Sequence, residues 1–216
     1  MAEALSAEAH FRNLATALDE FAEAGPLRLV GFSLGAAAAL RVVPLLETRD
    51  LELHLIAPAA PLQLGDFLDR LAGHQVFKLA GRSPRLFRLL TALQGGMARV
   101  TPGALMKALF GSAQGDDRAL AADPHFCAML AEVLQASLGQ GRAGYCREVE
   151  AFVQDWRAVL PQVTCPVHIW QGDADNWVVP DMAQALAGAL PDCAPPTLLA
   201  GKSHYSALQA YLAENP

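Results

Sequence analysis

The stretch Leu27 to Ala39, LRLVGFSLGAAAA, restricts the fold of this chain more than any other. Leu27-Arg28-Leu29-Val30 is a short apolar run of strand length, and beyond Gly35 the small residues Ala36 to Ala39 begin a helix that must pack closely. Between them, Gly31-Phe32-Ser33-Leu34-Gly35 has to turn the chain sharply. A strand, a tight turn and a helix in that order force Ser33 into a strained conformation, and the flanking glycines allow strand and helix to approach.

The rest of the chain fits an α/β arrangement. Phe11, Leu14, Leu18 and Phe21 recur at helical spacing, with Ser6 able to cap and Gly25-Pro26 to stop the run, so a helix is predicted over 7–24. Pro44 should kink or shorten the helix that follows the turn, and Leu51 to Ile56 reads as a second strand. From 62 to 160 the pattern is helical, with helices predicted over 84–93, 102–110, 124–138 and 145–157. Asp123-Pro124 starts one of them, and Gly95-Gly96, Gly111 and Gly139 to Gly141 supply breaks. Strand and helix then alternate again: strands at 166–170 and 197–200, helices at 181–190 and 206–213. Alternation of this kind implies a parallel sheet.

Composition narrows the function classes. The chain has 216 residues, 53% of them hydrophobic and 18% charged, which suits one globular domain with a sizeable core. Its net charge of -6 comes without a Lys/Arg run, so nucleic acid is not an expected partner. Cys127, Cys146, Cys165 and Cys193 form no C-x-x-C pair and are expected to be reduced thiols, with no metal site. The acidic start Met1-Ala2-Glu3-Ala4 lacks the features of a secretory signal, so a cytoplasmic location is expected, and the apolar stretch Leu29 to Leu40 is too short for membrane insertion.

A serine becomes a useful nucleophile when its oxygen is exposed, a base can take its proton, and donors meet the oxyanion formed on attack. Ser33 at the sharp turn meets the first need, and the backbone N–H of Leu34 is placed to meet the last. His204, in Gly201-Lys202-Ser203-His204, is expected on a loop after the last strand, where a base is required. His54 and His168 fall in predicted strands and read as core or sheet-face residues, whereas His10, His74 and His125 fall on helices and read as solvated. The acid that orients the imidazole lies in Gly172-Asp173-Ala174-Asp175. Asp175 is favoured over Asp173 because the loop must turn back across the top of the sheet first; Asp173 then braces the loop, and Asp181 is the better candidate to cap the following helix.

Together, Gly31-Phe32-Ser33-Leu34-Gly35, Trp170-Gln171-Gly172-Asp173-Ala174-Asp175 with Val178 to Pro180, and Gly201-Lys202-Ser203-His204 resemble the three motif regions of α/β-hydrolases in their usual order. The resemblance covers essentially the whole chain. It implies a parallel-sheet α/β-hydrolase fold with a core of 1–61 and 161–216 and a helical cap of 62–160. The implied chemistry is cofactor-free cleavage of a small or medium apolar ester or related acyl compound through a Ser33-His204-Asp175 triad and an acyl-enzyme. Such hydrolases usually have several strands before the nucleophile turn and a His-Gly loop that gives a second oxyanion donor. Here one helix precedes Leu27 and no His-Gly pair occurs, so the fold is expected to be N-terminally incomplete. The expected consequences are a missing second donor and an exposed sheet edge at Leu27 to Val30 through which the chain could form an oligomer. Three readings follow: a sequence shortened at its N-terminus, a naturally short hydrolase with a replacement donor, or a noncatalytic relative that acts as a binding or scaffold protein.

Overall fold

A computed structural model of the chain describes residues 6–22, 25–47 and 50–215. Helix α1, Ala7–Ala22, buries Phe11 and Ala15. Its predicted extension to residue 24 lies outside the described residues, as does the acidic start of the chain. Strand β1, Leu27–Phe32, is two residues longer than predicted, because its parallel ladder with β2, Leu51–Ile56, continues from Leu27–Leu51 through to Phe32–Ile56. Helix α2, Leu34–Val42, starts directly after Ser33 rather than beyond Gly35. At Pro44 it tightens into a 3-10 turn, Val43–Leu45, since proline cannot supply the N–H for another α-helical turn.

Between β2 and the next strand the described residues contain only helices and turns. They are α3 (His74–Arg82), α4 (Pro84–Val100), α5 (Pro102–Phe110), α6 (Asp117–Leu120), α7 (Pro124–Leu138) and α8 (Arg142–Phe152), followed by a 3-10 segment, Arg157–Gln162. Asp123 caps α7 by accepting from the His125 N–H at 2.9 Å. The sequence did not suggest α3, and one helix expected over 145–157 is divided between α8 and the 3-10 segment. Gly95-Gly96 does not break α4 either. A Cβ at Gly95 would lie 2.4 Å from the Leu138 carbonyl oxygen, so this glycine serves the close crossing of α4 and α7. Arg41 of α2 ties the inserted helices to the sheet layer by donating to the Ala151 carbonyl at 2.8 Å and stacking 4.2 Å from the Trp156 ring. Burial of that guanidinium lowers its pKa to about 10.

Strands β3 (Val167–Gly172) and β4 (Thr197–Leu199) complete a four-stranded, all-parallel sheet in the order β1-β2-β3-β4. Helix α9 (Pro180–Ala189) joins β3 to β4, and helix α10 (His204–Glu214) follows β4. The main core lies on the face bearing Leu53, Leu55, Val167 and Ile169, under α1, α2 and α9. On the opposite face α10 packs Ala207 and Tyr211 against Ile56 and Trp170. All the strands run the same way, so the ends of β1, β2 and β3 and the residues before α10 meet along one rim of the sheet.

Candidate active site

Ser33 occupies the break between β1 and α2 with φ 55° and ψ -124°. This is a conformation that side-chain-bearing residues rarely adopt, at a strain of about 1–3 kcal/mol. Three backbone bonds hold it there: the Ser33 N–H donates to the Ile56 carbonyl at 3.1 Å, and the Ser33 carbonyl accepts from Ala36 at 3.0 Å and Ala59 at 3.1 Å. Gly31 is required by packing, because a Cβ there would lie 2.7 Å from the Ala36 Cα. Gly35 is not, since a Cβ at that position meets nothing within 4 Å. The expectation that both glycines serve close approach therefore holds for one of them. Leu34 is the first residue of α2, so its N–H has no acceptor in the helix's own ladder.

His204 is the first residue of α10 rather than part of a loop, because the helix begins two residues earlier than predicted. Its Nε2 lies 2.9 Å from Ser33 Oγ and its Nδ1 lies 2.8 Å from Asp175 Oδ2. Both His204 and Asp175 are buried. The other carboxylate oxygen of Asp175 accepts from the Trp177 and Val178 N–H groups at 2.8 and 2.9 Å, and Gln171 Nε2 approaches Oδ2 at 3.2 Å. Aromatic rings fix the imidazole sideways, with Phe32 4.7 Å and Trp177 6.0 Å away between centroids. The histidine segment sits tightly on the end of β3: a Cβ at Gly172 would come within 2.4 Å of the Ser203 carbonyl oxygen.

Asp173 points away from this array and accepts from the Gly201 N–H at 2.8 Å, which braces the loop. Asp181 makes no side-chain cap on α9; it pairs instead with Arg70 at 2.6 Å. His54 and His168 lie side by side on one sheet face, 5.0 Å apart between ring centroids. Of the helical histidines, His125 is exposed, while His10 is partly buried against Glu148 at 3.2 Å and His74 bonds to the Leu71 carbonyl at 2.9 Å.

Residues 4–204 match the family model described as serine aminopeptidase, S33. The chain belongs to this α/β-hydrolase family. Its fold is similar to that of an enol-lactonase from Burkholderia xenovorans, at 19% identity over 97% of this chain and 70% of that one, with a TM-score of 0.66. It is also similar to a bromoperoxidase from Bacillus anthracis, at 19% identity over 98% and 71% with a TM-score of 0.64. An esterase from Thermogutta terrifontis gives 17% identity over 99% and 74%, also at 0.64. No curated protein matches the chain.

A cavity of about 330 Å³ opens beside Ser33 and His204 in this hydrolase. Its walls come from the sheet rim and from α3, α4, α5, α7 and α8. They include Val76, Phe77, Leu109, Leu134 and Phe152, and no lining residue is Asp, Glu, Lys or Arg. Gln94, Tyr145 and Tyr205 also reach it, and burial pushes both phenols up to about 12, so they stay protonated.

Two supports of the histidine escaped sequence reasoning. Asp117 of α6 is fully buried and accepts from the N–H groups of Tyr205 at 3.0 Å and Ser206 at 2.8 Å, and from Ser206 Oγ at 2.6 Å. Nothing in Gly115-Asp116-Asp117 distinguishes it from a surface turn. Gln171 had a signal, since it is an amide at the end of a strand that is apolar but for His168.

Proposed function

We propose that this chain hydrolyses carboxylic esters or related acyl compounds, with Ser33 as nucleophile, His204 as general base and Asp175 as the acid that orients it. The carrying observation is the continuous hydrogen-bonded line from Asp175 Oδ2 through both ring nitrogens of His204 to Ser33 Oγ. In the forward step, His204 Nε2 takes the Ser33 proton as Oγ bonds to the substrate carbonyl carbon. The negative charge that develops on the carbonyl oxygen is met by the Leu34 N–H at the start of α2. Collapse breaks the bond to the alcohol, which leaves with the proton from His204. Water then attacks the acyl-Ser33 ester under the same base and releases the acid. The Asp175 carboxylate stabilises the imidazolium formed in each half.

The uncharged cavity supports an apolar acyl or alcohol group, because a charged substrate would lose its hydration there without a counter-charge. For the same reason an ester suits the site better than a peptide with a free N-terminal ammonium. The helices of 62–160 act as a cap that keeps water from the reacting centre. An enol-lactonase and an esterase among the structural neighbours are in keeping with acyl–oxygen cleavage.

A fluorophosphonate probe tests the reading. It should modify the native protein at Ser33 and leave folded Ser33→Ala unmodified, with ester hydrolysis lost in parallel. Absence of labelling in folded native protein would favour the noncatalytic binding role.

A further inference from the structure

Helix α4 carries an apolar stripe that faces away from the protein. Leu86, Leu89, Leu93, Met97 and Val100 are 55%, 57%, 60%, 40% and 81% exposed, whereas Phe87, Thr91, Gly95 and Ala98 on the opposite side are buried. At roughly 100° per residue the five exposed side chains fall within one arc of about 80°. This is a coherent surface rather than scattered apolar residues.

The segment that carries it is one-sided in charge, with Glu132 of α7 the acidic side chain that shares a groove with Arg99. From Leu71 to Gly115 there is no Asp or Glu, although six of the chain's sixteen Lys and Arg residues lie there and the whole chain carries -6. Lys78 is paired with Asp69 and Arg88 with Glu150. Arg82, Arg85, Arg99 and Lys107 are exposed and make no ion pair among the described residues. An apolar stripe with the unpaired Arg85 and Arg99 along one side of it, on an acidic protein, has a specific complement: a surface that offers hydrocarbon beneath a layer of negative charge.

We propose that α4 is a docking face for anionic lipid, with Leu86, Leu89, Leu93, Met97 and Val100 entering the headgroup boundary and Arg85 and Arg99 meeting the lipid phosphates. The attachment is peripheral, since no helix among the described residues is long and apolar enough to cross a membrane. A second copy of the chain fits the face less well. An antiparallel two-fold contact through α4 would set its arginine flank against its own duplicate. Gln94 lines the cavity from the same helix, so docking would place the cavity wall against the bilayer in which apolar esters dissolve. Only that last consequence rests on the ester-hydrolase reading.

Vesicle sedimentation separates the alternatives. Native protein and Ser33→Ala should both bind vesicles of phosphatidylcholine with about 30% phosphatidylglycerol, and bind pure phosphatidylcholine about tenfold more weakly. Raising the salt from about 50 to about 300 mM should weaken the first binding severalfold. Leu89→Glu with Leu93→Glu, or Arg85→Glu with Arg99→Glu, should reduce binding to the mixed vesicles by about tenfold or more. These side chains point into solvent, so circular dichroism should show both variants folded. The proposal is overturned if native protein ignores the mixed vesicles, or if the folded variants bind as well as native. It is also overturned if the stripe instead drives a concentration-dependent dimer that the leucine variants abolish. Loss of hydrolysis in Ser33→Ala bears on the ester reading and leaves the docking result to stand by itself.

Discussion

At the scale of single residues, two aspartates two positions apart have different work. Asp175 bonds to His204 Nδ1, and Asp173 bonds to the Gly201 backbone. Asp175→Asn should lower kcat by about 10⁴-fold, because the amide can hold the imidazole in the wrong tautomer and cannot stabilise its charged form. Asp173→Asn should stay within about tenfold of native, since an amide oxygen can still accept the loop N–H. Steady-state kinetics on one ester would reverse the two assignments if the larger loss fell on Asp173. His54 offers a second residue-scale test. It is buried, bonds through Nδ1 to the Tyr211 hydroxyl at 2.8 Å and stacks on Trp170. Burial first, then the charges of His168 and Arg28, lower its pKa below 6.5. On acidification the unfolded chain therefore takes up this proton near pH 6.5 while the folded protein resists, and stability falls as the pH drops through that value until the folded pKa is reached. Thermal unfolding between about pH 7 and 5 should show a smaller fall in Tm for His54→Gln than for native protein; identical slopes would assign the acid sensitivity elsewhere.

At the scale of elements, α6 supports α10. Asp117 supplies the carboxylate that the otherwise unsatisfied N–H groups of a helix start require, and the first residue of that helix is His204. Asp117→Ala should destabilise the fold by about 1–3 kcal/mol by leaving those donors buried without an acceptor. It should also lower kcat by about 10–100-fold through displacement of the imidazole, with KM changed less. Urea denaturation and steady-state kinetics measure the two effects, and Asp117→Asn should recover part of each. This contact also marks where sequence reading stops. That Ser33, Asp175 and His204 come together was legible because strands of apolar residues end at a fixed rim and glycines mark the turns there. The start of α10 at His204 was not, because the acid that stabilises it lies 87 positions away in sequence, in a turn with no periodicity. The inserted helices were legible as helical but not in their bounds. Gly95-Gly96 looks like a break until α7 is seen to cross there, and α3 has too few apolar positions at regular spacing to declare itself.

At the scale of the whole molecule, β1 is the outer strand of the sheet. Its backbone shows which groups are free. The Leu27 N–H donates to Asp50 and that of Ser33 to Ile56, so the odd-numbered residues between them face β2 and Arg28, Val30 and Phe32 turn their N–H and C=O groups outward. None of these three N–H groups has a partner among the described residues, and the Val30 side chain is 43% exposed. A second copy meeting this edge antiparallel, with the two-fold axis at Val30, would satisfy the outward groups of all three residues and set Arg28 opposite Phe32 of the other copy, a pairing of cation and ring. The two four-stranded sheets would then become one. Sedimentation velocity over a hundredfold range of protein concentration should therefore reveal a dimer in native protein. Val30→Lys should shift the association to about tenfold higher concentration or more, because it places two like charges at the axis. A native protein that remains monomeric throughout would show that this edge does not pair with itself, and association unchanged by Val30→Lys would move the contact to another face.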